Sequence, residues 1–203
     1  MKDKIEYLNK IVCYSNQSYV LYALNKPKGY ISTMDDEFGR KKISDLIANK
    51  IEENVFHIGR LDKDTSGLIL LTNNGNFANF LMHPSSKIQK TYLAKVKGSI
   101  NEEEIKIIEN GVELEDGFVT SPSKVFLIRK EKNISVLKIV IHEGHKREVR
   151  EIFKTLNHHT FYLKRLAIGN LDLSVVPKSG DIKKLNKIEI KSISKKALDF
   201  FND

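Results

Sequence analysis

His57-Ile58-Gly59-Arg60-Leu61-Asp62-Lys63-Asp64-Thr65-Ser66-Gly67-Leu68-Ile69-Leu70-Leu71-Thr72-Asn73 is a polar loop set between two apolar runs. Val55 to Ile58 and Leu68 to Leu71 are short, branched and uncharged, the pattern of buried strands. The loop between them can present Asp62 at the mouth of a cleft, with Arg60 beside it for a phosphate or a base. Asp62, Asp64, Ser66 and Gly67 also fall at the first, third, fifth and sixth positions of a calcium loop. That reading fails at the last position, where a bidentate glutamate is required and Asn73 stands, and at the flanks, which read as strands instead of helices. For an arbitrary aspartate in such a loop, capping a turn is the ordinary role.

Outward from this loop, strands and helices follow one another irregularly. Tyr19 to Asn25 reads as a strand broken by Lys26-Pro27-Lys28-Gly29, and Ile43 to Ala48 as a short helix. Phe77 to Met82 suits a helix capped by Asn76 and stopped by Pro84. Thr91 to Lys97 alternates, placing Tyr92, Ala94 and Val96 on one face of a half-buried strand. Asn101 to Glu104 is a capping box opening a helix that Gly111 closes. Ser123 to Ile128 and Ile134 to His142 read as strands. His145 to Leu156 reads as a helix with Val149, Ile152, Phe153 and Leu156 on one stripe. The tail reads as a strand over Ile188 to Ile193 and a helix near Lys195 to Phe201. This order predicts an α+β fold with a largely antiparallel mixed sheet.

Composition narrows the function. The chain has 203 residues, 34 basic against 26 acidic side chains, a net charge of +8 and a single cysteine. One cysteine, Cys13, excludes an internal disulfide framework. No apolar run reaches the roughly 18 residues of a membrane span, and residues 1–10 lack a signal peptide's apolar region. A soluble, cytoplasmic protein attracted to polyanions such as nucleic acid is expected. His142 with His145, and His158 with His159, lack the closed ligand set of a zinc site, so no metal is expected.

Four ordered motifs carry a resemblance. The quoted His57 to Asn73 stretch resembles the signature of RNA pseudouridine synthases, and its Gly-Arg-Leu-Asp form resembles the branch acting on ribosomal RNA. Asn25-Lys26-Pro27-Lys28-Gly29 resembles that branch's upstream Lys-Pro motif. His83-Pro84, followed by Lys90-Thr91-Tyr92, resembles the strand carrying the active-site tyrosine. Glu143 to Arg150 resembles the late basic motif, and Leu163-Lys164-Arg165 with Ile168-Gly169 the segment after it. The similarity spans about residues 19 to 190.

The resemblance implies a pseudouridine synthase fold and isomerisation of a uridine in ribosomal RNA, that of the large subunit first, by a monomer without a cofactor. Residues 19–203 would form the catalytic domain, in one or two subdomains, with 1–18 an extension and no separate N-terminal RNA-binding module. Asp62 would be the catalytic carboxylate, adding to the sugar or removing a proton from C2′; the residues do not choose between these routes. Arg150 would hold it charged in a desolvated cleft. Tyr92 would pack against the uracil and accept the C5 proton. Arg60 would fill the space vacated by the everted base. Lys26, Lys28, Lys90, Arg147, Lys164 and Arg165 would bind substrate, most of them as a phosphate-tracking surface. The sequence departs from many relatives at Glu151, where they carry a basic residue, and at Glu148, where some carry glutamine. A non-catalytic RNA-binding or ribosome-assembly factor of the same fold, and a transfer-RNA-directed enzyme, are the competing expectations.

Overall fold

The computed structural model describes residues 18–202 and the backbone of two short strands before them. Those strands, β1 (Ile5–Tyr7) and β2 (Lys10–Val12), pair antiparallel within the segment read as an extension. β3 (Leu21–Lys26), α1 (Ile43–Ile47), β4 (Phe56–Ile58) and β5 (Ser66–Thr72) follow. Next come α2 (Gly75–Met82), β6 (Lys90–Lys97), α3 (Glu102–Asn110), β7 (Lys124–Glu131) and β8 (Ile134–Ile141). The chain continues through α4 (Glu148–Thr155), β9 (Thr160–Ile168), β10 (Leu171–Asp172), β11 (Ile182–Lys184), α5 (Lys187–Ile193) and α6 (Ala197–Asn202).

Nine strands form one sheet in the order β11-β3-β5-β9-β6-β8-β7, with β4 added to β5 and β10 to β9. Every pairing is antiparallel except β5 with β9, which meet in parallel over only Ser66↔Lys164 and Gly67↔Arg165. The expected α+β fold with a mixed, largely antiparallel sheet is what the chain forms.

Both faces of the sheet are covered. Side chains alternate along β3 and β5, so Tyr22, Leu24, Ile69 and Leu71 enter one core with Tyr92, Ala94, Leu137 and the Val149, Ile152 and Phe153 stripe of α4. Leu21, Ala23, Leu68 and Leu70 enter the other, under Phe77 and Leu81 of α2, Ile190 and Ile193 of α5, and Phe201 of α6. Burial on two faces is why these strands read as continuous apolar runs without alternation.

Three expectations are corrected. The cap of α2 is Asn74, not Asn76: its side chain accepts from the Phe77 amide at 2.9 Å, so the helix opens two residues earlier. Ile188 to Ile193 is helical. Asn186 and Glu189 form a reciprocal capping box at 3.0 Å each, and the helical spacing buries Ile190 and Ile193 while Ile188 stays outside. The third is β9, which the sequence leaves unassigned because Lys164-Arg165 interrupts its apolar pattern; it is a central strand.

At the parallel contact, Gly67 has φ +108°, and a Cβ there would lie 2.2 Å from the Arg165 carbonyl oxygen. Only glycine allows β5 and β9 to approach so closely. Gly67→Ala is expected to lower the unfolding free energy by about 3 kcal/mol or more, read from urea denaturation.

Candidate active site

Gly67 is the centre of a rung that runs across the sheet. Its register partner on β3 is Lys26, and on β9 it is Arg165. Arg165 pairs in turn with Tyr92 of β6, and Tyr92 with Ile139 of β8. Cα partners share a face, so Lys26, Arg165 and Tyr92 stand in a row on the same side. A bulge between Thr91 and Tyr92 disturbs the β6–β9 register at this point, the kind of irregularity that re-aims a side chain beside a site.

The Asp62 loop connects β4 to β5 and arrives above this row. It is held from below by the segment after β3. The Gly29 amide donates to the Lys63 carbonyl at 2.7 Å. The Ser32 hydroxyl donates to the Leu61 carbonyl at 2.8 Å and accepts from the Leu61 amide at 3.0 Å. From the side, Arg150 reaches out of α4: Nη1 donates to the Thr160 carbonyl at 2.7 Å and Nη2 to Thr65 Oγ1 at 3.3 Å.

Together these elements enclose a cleft of about 860 Å³. Leu61, Tyr92, Ile141, Val149 and Leu163 give it apolar walls; Asp62, Lys90, Glu148 and Arg165 give it polar ones. Arg60, Lys63, Lys146 and Arg147 bring positive charge to its lining. Asp62 and Tyr92 therefore border one cleft, as the sequence suggests, and Arg60 lies exposed beside them.

The arginines are distributed differently from expectation. Arg150 does not take Asp62 as its partner. Its Nη2 lies 2.9 Å from Asp64 Oδ2, and it does not line the cleft. The cation at Asp62 is Arg147, whose Nη1 lies 3.5 Å from Asp62 Oδ2 and 3.9 Å from Asp64 Oδ1. Arg147 reaches back because it is not helical: at φ +56° it caps α4, and the helix begins at Glu148 instead of His145. Both partners of the Arg147–Asp62 pair are more than a third exposed, so the pair is screened and free to exchange for a phosphate.

Nor do the six substrate-binding candidates form one solvated surface. Lys26 is fully buried, its Nζ donating to the Pro27 and Tyr30 carbonyls at 3.1 and 2.6 Å. Burial pushes its pKa down to about 8, while Asp62 and Asp64 oppose the shift and Arg165 adds to it. Arg165 is 3% exposed; its Nε donates to the Leu68 carbonyl at 2.6 Å. Arg165 is a cation of the cleft lining and Lys26 is sealed away from it, and neither can track phosphates at the surface. Lys90 is half-buried, donating to the His142 and Glu143 carbonyls at 3.3 and 3.2 Å, and burial lowers its pKa too. Lys28 is exposed over the Tyr162 ring at 4.7 Å, and neither it nor half-buried Lys164 lines the cleft.

Glu148 is the residue the sequence reading passed over as a mere departure. It is 3% exposed and lines the cleft, and burial followed by the nearby Glu143 raises its pKa to about 7. The available signal was its place four residues before Ile152, on the apolar stripe of α4.

Comparison with known proteins bears on this geometry. The profile of the family described as RNA pseudouridylate synthase matches residues 20–155, most of the chain. The chain belongs to the RNA pseudouridylate synthase family. It is thus an RNA-modifying isomerase, and the match covers the Lys26 turn, the Asp62 loop, Tyr92 and α4. Ribosomal large subunit pseudouridine synthase B of Bacillus subtilis is 44% identical over 176 residues, 86% of this chain and 71% of that protein. An uncharacterized RNA pseudouridine synthase of Aquifex aeolicus is 38% identical, over 95% of this chain and 76% of that one. A crystal structure of a pseudouridylate synthase shares the fold with a TM-score of 0.80 at 24% identity, covering 94% of this chain and 80% of that one. Among the described residues, no helix is long and apolar enough to cross a membrane and no cluster of metal-ligating side chains occurs.

The two synthase arginines should separate in stability. Arg150→Met removes a buried group and leaves the Thr160 carbonyl unpaired, so a loss of about 2–3 kcal/mol in urea unfolding is expected. Arg147→Met should cost less than about 1 kcal/mol.

Proposed function

We propose that this chain converts a uridine of large-subunit ribosomal RNA to pseudouridine, with Asp62 as the catalytic carboxylate and residues 19–203 as the catalytic unit. The observation that carries the proposal is the meeting of Asp62, Tyr92 and Arg165 at one apolar-walled cleft large enough for an everted nucleotide. The choice of ribosomal RNA rests on the relative from Bacillus subtilis, whose name assigns it to the large subunit.

The reaction breaks the bond between N1 and C1′, turns the base and joins C5 to C1′. C5 gives up a proton and N1 gains one, so the product is an isomer and no external reagent enters. Asp62 stands at the sugar, either adding to it or removing a proton from C2′. Tyr92 packs its ring against the base and receives the C5 proton. Arg147 neutralises the Asp62 carboxylate in the free protein and turns to a phosphate when RNA arrives. Arg150 is a positioning residue, holding Asp64 and Thr65 so that the loop keeps its shape. Everting the base costs a few kcal/mol, which Arg60 at the mouth offsets by stacking or phosphate contact. The net charge of +8 steers the protein to RNA.

Asp62→Asn should leave the fold and RNA binding near normal and reduce conversion to background, scored by carbodiimide primer-extension stops on a ribosomal RNA transcript. Undiminished turnover by that variant would remove Asp62 from the chemistry. Presenting transfer RNA in parallel separates the substrates, and absence of product from the wild type on either RNA would mark a binding factor. Tyr92→Phe should retain binding and slow turnover by about ten- to a hundredfold, since proton acceptance of this kind contributes about that much or more; an unchanged rate would confine the ring to packing.

A further inference from the structure

Two polar atoms of the cleft residues are buried and have no hydrogen-bond partner among the described residues: Glu148 Oε1 and Arg165 Nη2. An orphaned buried polar atom is costly, and a ligand group that reached either of these two would relieve that cost. Tyr92, Ile141, Val149 and Leu163 are apolar members of the same cleft lining.

The other carboxylate oxygen of Glu148 is already committed. Oε2 accepts from the His145 amide at 2.9 Å, closing the turn into α4. In a carboxylic acid the carbonyl oxygen is the better acceptor, so the hydroxyl falls on Oε1, which becomes a donor. Arg165 Nη2 can only donate. Uracil offers two carbonyl acceptors, O2 and O4, either side of N3. We infer that Glu148 is a base-recognition residue, its free Oε1 donating to a carbonyl oxygen of the target uracil while Arg165 Nη2 donates to the other. The inference rests on the pseudouridine reading and adds to it the means by which the base is held.

The symmetry of uracil makes this pairing useful to the reaction. Turning the ring about the line from N3 to C6 exchanges N1 with C5 and, at the same time, O2 with O4. Donors that read only carbonyl oxygens meet the same pattern before and after the turn. They hold the detached base in the cleft in both orientations. Cytosine breaks the pattern, because its exocyclic amine would set donor against donor.

The groups facing Glu148 are Glu143 and His145 from the preceding loop and Lys90 from β6, with Arg165 of β9 beyond Lys90; Arg147 and Glu151 lie on its own helix. Burial and Glu143 favour the neutral acid, and Lys90 and His145 oppose it. With the pKa raised from 4.5 to about 7, the donor is present below about 7 and lost above it, when an ionised Oε1 would face a carbonyl oxygen.

The test is kcat/KM across neutral and mildly alkaline pH, which reports groups of the free enzyme. Wild-type kcat/KM should fall as pH rises through about 7. Glu148→Gln keeps the acceptor for His145 and supplies an amide donor at every pH. Its profile should stay level through pH 7, where the wild type falls. Glu148→Leu should lose about ten- to a hundredfold below pH 7, and its deficit against wild type should close as pH rises above about 7. An active wild type whose Glu148→Gln variant keeps the same alkaline fall, or a Glu148→Leu variant of full activity, overturns the assignment of Glu148 alone. A wild type that forms no pseudouridine on any RNA at any pH overturns the proposed function itself.

Discussion

The close approach of two backbones at Gly67 and Arg165 is the constraint on which this molecule depends. The sheet consists of an antiparallel group on each side, β11-β3-β5 and β9-β6-β8-β7, and the two meet in parallel over two residue pairs. On its side away from β3, β5 pairs with β9 at its start and with β4 at its end, and the loop carrying Asp62 runs from β4 to that start. Lys26 and Arg165 flank the glycine at the join, with Tyr92 one strand further.

Charge in this region is arranged in layers. Lys26 and Arg165 lie beneath the loop, buried and bonded to main-chain carbonyls. Arg150 lies beside it, tied to Asp64, Thr65 and Thr160. Arg147 lies above it and is loosely held. Cations that are buried and hydrogen-bonded set a fixed positive field, whereas one that is exposed and weakly paired can move to another anion at little cost. An incoming RNA backbone therefore has one guanidinium it can recruit without disturbing those that shape the site.

Much of this was legible in the sequence, for physical reasons that differ by element. The Asp62 loop, the Tyr92 strand and the α3 capping box were readable because each is a local signal: turn residues, alternation, reciprocal caps. β9 was not, since its central Lys-Arg pair looks like a break until a long-range partner accounts for it. Arg165 is buried because it pairs across two strands distant in sequence, and Lys26 because a turn folds over it. Periodicity cannot report either. The α5 segment failed for the opposite reason: Ile188 and Ile190, two residues apart, suggest a strand, and the Asn186–Glu189 box decides for a helix. The wrong partner given to Arg150 follows from one dihedral, the left-handed backbone of Arg147, which shortens α4 and turns a second arginine toward Asp62.

The rear core has a consequence for biosynthesis. It is closed by α5 and α6, with the Asn74 carboxamide donating to the Phe201 carbonyl at 3.2 Å and Phe77 and Phe80 packing on Phe201 and Phe200. These contacts join positions more than a hundred residues apart. While the chain is emerging from the ribosome, β3 and β5 can pair early under α2, yet the rest of their back stays greasy until the last helix is released. Premature termination anywhere before residue 187 would leave Leu21, Leu68 and Leu70 with α2 alone as cover, a nascent polypeptide prone to stick to its neighbours however intact its front face.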